Sequence, residues 1–171
     1  MQTKLFNIPA NAIVMPCRNI KCTCEYGIKR DIILDNGKRL QDIHNGRDYV
    51  GDLNLRAIAD GKTIFFTEND GTGSKSIVTA HHNILPNKFV LLALYAHCAS
   101  FVKPKKNDPV VKDQIIATMG RTGNVKGVHL HCSMYAIPPE VWFNQAKQSW
   151  YSFSYDDREK YQIDPAWVLG L

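Results

Sequence analysis

The segment FVLLALYAH, residues 89–97, is the most apolar part of the 171-residue sequence, and it predicts a β-strand that ends at a histidine. Its apolar run, residues 89–96, is far shorter than the roughly 20 residues that a membrane-spanning helix needs. Tyr95 and His97 are two positions apart, so strand alternation predicts that both side chains lie on one face. The segment therefore predicts a buried strand whose last residues carry polar chemistry.

Turn signals on both sides of this strand predict a mainly β fold. Asn36-Gly37 and Asp60-Gly61 each separate two apolar runs, which is a strong hairpin signal. Further strands are expected at Ser76–Ala80, Gln114–Thr118 and Val128–Ala136, loops at Glu68–Ser74, Lys103–Pro109 and Gly120–Gly127, and a short helix from Pro138 to Gln148. The pattern predicts one β-rich domain with short helices towards the C-terminal end.

The composition indicates one globular domain of about this length. Hydrophobic residues make up 44% and charged residues 22% of the sequence, which excludes a disordered chain. We expect residues 1–40 to form an extension that packs on or leads into a domain at residues 41–171, which includes an aromatic-rich C-terminal part. The net charge of +5 is compatible with a cell-wall polymer, a nucleic acid or no anionic partner.

The five cysteines do not predict a disulfide framework, because their number is odd and no secretion signal precedes them. Cys17, Cys22 and Cys24 offer three thiolates for a metal, but their spacing lacks a paired C-x-x-C, and ordinary thiols are the favoured interpretation. Cys98 and Cys132 each follow a histidine and are expected to pack into the core.

The segment His44-Asn45-Gly46-Arg47-Asp48 brings an imidazole and a carboxylate four residues apart. In an extended chain the two would be roughly 13 Å apart, at about 3.3 Å per residue, whereas a turn at Asn45-Gly46 places both at one point. Taken alone, the segment is as well explained by a surface turn with a hydrogen-bonded pair.

In Val128-His129-Leu130-His131-Cys132, the alternation of a strand places both histidines on one face and the apolar residues on the other. Two adjacent imidazoles resist simultaneous protonation, which favours metal binding or proton relay, and a solvent-facing polar strand is the equal alternative. Together with His97, however, these segments supply two imidazoles and a carboxylate for a metal and two further imidazoles.

These segments resemble the lysostaphin/LytM-like zinc metalloendopeptidases, which hydrolyse peptidoglycan peptides. The resemblance rests on H-x-G-x-D at 44–48, Tyr-Ala-His at 95–97, G-x-T-G at 120–123 and H-x-H at 129–131, in that order, and on Asp164-Pro165 after the last strand. It implies an antiparallel β-sheet with an open groove, of the duplicated-hybrid-motif type. His81-His82-Asn83 lies where the family often has His-Gly-Asn, and we interpret it as structural or groove-lining.

The resemblance also implies the site residues. One Zn²⁺ per chain would be held by His44, Asp48 and His131, with a fourth position left for water, as in catalytic zinc sites. His97 and His129 would form the catalytic pair, with the division of roles between them open. Predicted substrate contacts, within the same motifs, are Tyr95, Asn45 and Thr122.

The resulting hypothesis is a zinc-dependent peptidoglycan endopeptidase acting on cross-bridge or stem peptides at the bacterial cell wall. The absent signal peptide favours a phage virion or lysis protein over a trimmed secreted protein. The alternatives are a catalytically inactive wall-binding or scaffold module and, with only the N-terminal cysteines and the basic loop in its favour, a zinc protein that binds nucleic acid. We expect a peptidoglycan peptide as partner and no nucleic acid.

Overall fold

The computed structural model describes residues 7–9, 11–33, 37–102, 105–143 and 155–171, and it is mainly β. The strands are β1 Lys21–Cys24, β2 Lys29–Ile33, β3 Arg39–Ile43, β4 Arg47–Val50, β5 Asn54–Arg56, β6 Gly61–Thr67, β7 Ser76–His81, β8 Val90–Ala96, β9 Cys98–Phe101, β10 Pro109–Val110, β11 Ile115–Met119, β12 Leu130–Ile137 and β13 Gln162–Ile163. The helices are α1 Pro139–Trp142, α2 Tyr155–Tyr161 and α3 Pro165–Leu169, with a 3₁₀ turn at Pro86–Lys88.

The main sheet has the strand order β1-β4-β12-β8-β7-β6-β10, and β13 pairs with β12. All of these pairings are antiparallel. The predicted apolar strand is β8, at the centre of the sheet, where it pairs with β12 and β7. The prediction of an antiparallel, mainly β fold is confirmed.

The strand β8 is apolar along its length because it contributes to the core on both faces. Leu91 and Tyr95 pack in the larger apolar cluster, whereas Val90 and Leu92 pack in a second cluster that includes Trp142 of α1. A strand that is covered on both faces has no need for alternating polar residues. The central strand is therefore held between two apolar layers. The first polar side chain after it, that of His97, lies just beyond the end of the strand.

A smaller sheet, in the order β5-β11-β9, and the separate hairpin β2-β3 complete the fold. The predicted hairpin at Asn36-Gly37 is confirmed, since β2 and β3 pair from Lys29↔Ile43 to Ile33↔Arg39. The turn residues 34–36 lie outside the described residues.

The predicted hairpin at Asp60-Gly61 is wrong. The strand before it, β5, pairs with β11, and the strand after it, β6, pairs with β7 and β10. Gly61 is the first residue of β6, where a Cβ would lie 2.2 Å from the Ala80 carbonyl oxygen and 2.6 Å from Nδ1 of His81. The glycine is required by close packing against β7 and not by a turn.

Two further expectations are met only in part. The last long strand begins at Leu130, and Val128 is 49% exposed, so it does not share the buried face of Leu130 and Cys132. The predicted C-terminal helix is short, because α1 ends at Trp142 and residues 144–150 lie outside the described part of the chain. In the aromatic-rich C-terminal part, Trp142 is buried in the second apolar cluster, whereas Phe143 is exposed. Trp150, Tyr151, Phe153 and the side chain of Tyr155 lie outside what the structure describes.

The N-terminal segment contributes to the same sheet as the rest of the chain. β1 forms one edge of the main sheet, and Cys17 is completely buried in the larger apolar cluster. A boundary at residue 40 stays a prediction. Within the described ranges, no helix is long and apolar enough to cross a membrane.

Candidate metal centre and active site

Three predicted metal ligands converge at the junction of β4 and β12. Asp48 of β4 lies opposite His131 of β12 in the antiparallel pairing, and His44 precedes β4 in the loop after β3. His44 Nε2 lies 3.0 Å from Asp48 Oδ1 and 3.0 Å from His131 Nδ1, and the third side, from His131 Nδ1 to Asp48 Oδ1, is 2.9 Å. We call these three residues the ligand triad.

Hydrogen bonds on the outer side of the triad fix both imidazole tautomers. Nδ1 of His44 lies 2.8 Å from the carbonyl oxygen of Glu25, which only accepts, so Nδ1 carries the proton. Nε2 of His131 lies 3.0 Å from Oγ of Ser133, whose own proton is donated to the Asn45 carbonyl oxygen at 2.7 Å. Each ring therefore donates outwards, as metal-bound histidines generally do.

The inner atoms of the triad are consequently all acceptors. His44 Nε2 and His131 Nδ1 present lone pairs to each other and to the Asp48 carboxylate, and the His44 ring is completely buried. Three acceptors at about 3 Å from one another repel unless a cation or an additional proton lies between them. Two imidazole nitrogens and one carboxylate are a donor set that fits Zn²⁺.

Gly46 makes the convergence possible. A Cβ at this position would lie 2.6 Å from the Cys132 carbonyl oxygen, 2.7 Å from His131 Nε2 and 2.7 Å from Ser133 Oγ. The loop between β3 and β4 therefore lies directly against β12. The sequence predicted that Asn45-Gly46 brings His44 and Asp48 together by a turn; the structure shows that the glycine is needed for close approach.

A buried ion pair holds the strand that carries Asp48. Arg47 donates from Nε to Asp164 Oδ1 at 2.6 Å and from Nη2 to Oδ2 at 3.0 Å, a bidentate arrangement. Asp164 is 3% exposed and also accepts a hydrogen bond from the Ala166 amide, which caps α3. The Asp164-Pro165 segment, noted from sequence only as a resemblance, thus supports the neighbour of a predicted metal ligand.

His97 is positioned by an unusual backbone conformation, one side chain and one backbone carbonyl group. Its φ of 63° lies in the left-handed region, so the strand alternation ends before this residue. Its amide donates to Ser74 Oγ at 3.0 Å, and Nδ1 donates to the Thr122 carbonyl oxygen at 2.8 Å. Nε2 of His97 is therefore the nitrogen that carries the lone pair when the ring is neutral.

His129 lies close both to His97 and to the ligand triad. The ring centroids of His97 and His129 are 4.8 Å apart, and His129 Nε2 lies 3.7 Å from Asp48 Oδ1. Nδ1 of His129 contacts the Gly127 carbonyl oxygen at 3.0 Å, which again leaves Nε2 free of the tautomeric proton. Four imidazoles and one carboxylate thus form one continuous cluster.

The electrostatics keep the cluster in the state that a cation requires. Burial raises the pKa of Asp48, but the contacts with the imidazoles of His131 and His44 outweigh it and hold that pKa below its usual range. Burial lowers the pKa of His131, and it lowers the pKa of His97 to about 4, with the neighbouring imidazoles adding to the effect. At neutral pH the carboxylate of Asp48 is therefore ionised, and the rings of His131 and His97 are neutral.

The predicted substrate contacts occupy different environments. Tyr95 is completely buried and its hydroxyl accepts a hydrogen bond from the Ile58 amide, so it is a core residue and the prediction that it shares a face with His97 is wrong. The Thr122 hydroxyl accepts from the Lys75 amide and donates to the Cys98 carbonyl, which gives it a structural role beside His97.

Asn45 is exposed, and its carbonyl oxygen accepts hydrogen bonds from Ser133 and from the Gln162 side chain. A substrate contact by its side chain stays a prediction. His81, interpreted from sequence as structural or groove-lining, is completely buried and contacts the Asp60 carbonyl oxygen and the Thr79 hydroxyl.

Two residues at the site were not assigned to it from the sequence. Cys24 of β1 has its sulfur within 4.8 Å of the ligand atoms of His44 and Asp48. Arg30 of the β2-β3 hairpin places Nη1 4.0 Å from Asp48 Oδ2 and pairs with Asp42 at 2.8 Å. A signal for Cys24 would have been a pairing of β1 with β4, which periodicity alone does not predict.

Comparisons with known proteins give one family and one fold. The model of peptidase family M23 matches residues 42–146, which is more than half of the chain. A comparison with curated proteins found no significant match.

Among solved structures, the catalytic domain of the antimicrobial peptidase lysostaphin from Staphylococcus simulans superposes with a TM-score of 0.60 at 21% identity, covering 90% of this chain and 94% of that one. A zinc-containing peptidase from Vibrio cholerae gives 0.52 at 24% identity over 74% of this chain, which spans only 36% of that protein. The prophage-encoded M23 protein EnpA from Enterococcus faecalis gives 0.51 at 20% identity, covering 74% and 94%. At these identities the likeness establishes the fold.

Proposed function

Because the chain belongs to peptidase family M23, we propose that it is a zinc-dependent endopeptidase that hydrolyses peptide bonds in bacterial peptidoglycan. The observation that carries the proposal is the ligand triad, whose three inner atoms are acceptors held 2.9–3.0 Å apart by hydrogen bonds on their outer sides. One zinc ion per chain, bound by His44, Asp48 and His131, balances the negative charge and the lone pairs of that cluster.

A zinc ion bound there supplies a Lewis acid that polarises a carbonyl group and acidifies a coordinated water molecule. The protein contributes the two imidazoles beside the triad. His129 Nε2 lies 3.7 Å from Asp48 Oδ1, and we assign it the role of accepting the proton of the attacking water. His97, whose ring centroid is 4.8 Å from that of His129, would receive that proton from His129 at Nε2 and then deliver it to the leaving amine or donate it to the developing oxyanion.

Burial supports this division of labour. Because the pKa of His97 is lowered to about 4, the ring is neutral before the reaction and returns a proton readily after it has accepted one. Its Nδ1 is held by the Thr122 carbonyl oxygen, so proton exchange is confined to Nε2.

The proposed place of action is the bacterial cell wall, and the proposed bond is a cross-bridge or stem-peptide link. Support comes from the family and from the similarity to lysostaphin, described as an antimicrobial peptidase. A phage origin, for lysis or wall penetration, is part of the proposal; one similar structure is described as prophage-encoded. The charge of +5 favours approach to an anionic polymer.

The test is digestion of defined peptidoglycans, with the released fragments identified by mass spectrometry with and without a chelator. The wild-type protein should release new peptide termini, and the chelator should abolish them. His129→Ala should keep stoichiometric zinc and lose activity by about 10²–10⁴-fold, the usual contribution of a general base. Full activity of His129→Ala, or fragments that persist in the chelator, would refute the assignment.

A further inference from the structure

The N-terminal strand lies beside the ligand triad. β1 pairs antiparallel with β4, and Cys24 is directly opposite Asp48 in that pairing. Directly opposite residues of an antiparallel pair have side chains on the same face, with Cβ atoms about 4.5–5.5 Å apart. Accordingly, the ligand atoms of Cys24, His44 and Asp48 all lie within 4.8 Å of one another.

The same segment also fixes the first ligand. The carbonyl oxygen of Glu25, next to Cys24, accepts the Nδ1 proton of His44 at 2.8 Å, and the amide of Gly27 donates to the His44 carbonyl oxygen. Residues 24–28 are therefore attached to His44 on its outer side. The Cys24 thiol is held near the cluster by contacts that are independent of its own chemistry.

A second observation identifies what the thiol faces. Nε2 of the completely buried His44 ring points into the cluster, where its described neighbours, Asp48 Oδ1 and His131 Nδ1, are acceptors. A cation is the species that satisfies such a nitrogen, and zinc binds thiolate sulfur at least as readily as imidazole or carboxylate.

We propose that Cys24 is a fourth protein ligand of the zinc centre and that its sulfur competes with water for the coordination position used in hydrolysis. This inference rests on the proposed zinc peptidase function. A site with four protein ligands is closed, whereas catalysis needs an open position. This competition slows hydrolysis by the wild-type protein, and removal of the sulfur opens the position to water. The strand is four residues long and forms an edge of the sheet.

The test replaces zinc by Co²⁺ in the reduced, full-length protein and records its absorption spectrum. A thiolate bond to Co²⁺ gives an intense near-ultraviolet charge-transfer band, which imidazole and carboxylate ligands do not give. The band should be present in the wild type, lost in Cys24→Ser and Cys24→Ala, and retained in Cys22→Ser. Cys22 is the matched control, because it lies two residues earlier on β1, opposite Tyr49, and its sulfur contacts Arg47.

Two further readouts use the same proteins. Zinc should protect Cys24, but not Cys22, from alkylation by iodoacetamide, as mapped by mass spectrometry. Cys24→Ala should hydrolyse peptidoglycan faster than Cys22→Ser. These measurements separate a ligand from a residue that only stabilises β1.

The outcomes are distinguishable. Weak visible bands of bound Co²⁺ without the charge-transfer band, together with equal alkylation with and without zinc, would refute the role of Cys24 and leave the triad intact. A wild-type protein that binds neither Co²⁺ nor Zn²⁺ would refute the zinc centre itself, and this inference with it.

Discussion

Gly46→Ala should separate the two halves of the metal centre. The new methyl carbon would lie 2.6–2.7 Å from three atoms, one each of Cys132, His131 and Ser133, and all three belong to β12. Because carbon atoms at rest lie about 3.5 Å from their neighbours, the β3-β4 loop must retreat from β12 by roughly 0.5–1 Å. That movement takes His44 and Asp48 away from His131, and metal sites tolerate ligand displacements of only about 0.2 Å.

The expected magnitudes follow from this displacement. Overpacking of this kind costs about 1–3 kcal/mol in the free energy of unfolding. Displacement of the shell around the ligands should lower zinc affinity about 10–100-fold. The first quantity is measured by urea denaturation of the metal-free protein, and the second by competition with a chromophoric chelator.

Gly127→Ala is the matched control, because a Cβ there meets no atom within 4 Å. It should change neither the zinc affinity nor the free energy of unfolding appreciably. If Gly46→Ala binds zinc as tightly as Gly127→Ala and is equally stable, the close approach does not build the site, and the reasoning is wrong.

Three other predictions concern the stability and the metal. Burial lowers the pKa of His81 from 6.5 to about 4, so between these pH values the unfolded chain binds a proton that the folded chain does not, and about 3 kcal/mol of stability should be lost as the pH falls through that window. His81→Gln, measured metal-free by denaturation at each pH, should lose less stability than the wild type. An equal loss would count against the idea. Asp164→Asn should lower the free energy of unfolding by about 3 kcal/mol, because it leaves Arg47 buried and unpaired. Asp113→Asn, in a half-exposed surface pair, should lower it by under about 1 kcal/mol. Equal losses in denaturant would refute a special role for the buried pair. Zinc affinity should fall as the pH is lowered below about 6, because the ligand imidazoles must be neutral, and a chelator competition that gave the same affinity at pH 5 and pH 7 would contradict this.

The residues that the sequence predicted best are those governed by strand alternation. His129 and His131 lie on the side of Asp48, while Leu130 and Cys132 are completely buried. A period of two residues needs no knowledge of the partner strands. For the same reason β8 could be predicted from its composition.

Predictions that failed depended on contacts between distant segments. Alternation placed Tyr95 beside His97, but the left-handed conformation of His97 breaks the period, and Tyr95 faces the core. Asp60-Gly61 has the composition of a turn, yet position 61 requires glycine because Ala80 and His81 leave no room for a side chain. The approach of Cys24 to Asp48 requires the pairing of β1 with β4, which short-range patterns do not encode.

The Arg47–Asp164 ion pair has a consequence for biosynthesis. It joins residues 117 positions apart, and within nearly the same stretch of chain His44 and His131 are 87 positions apart. At translation rates of about 5–20 residues per second, the segment with β4 waits several seconds for its partners to leave the ribosome. A nascent or prematurely terminated chain that lacks Asp164 would contain the predicted ligands His44 and Asp48 without the ion pair that holds β4. Hydrolytic competence should therefore arise late in synthesis, which would spare the producing cell from partly made enzyme.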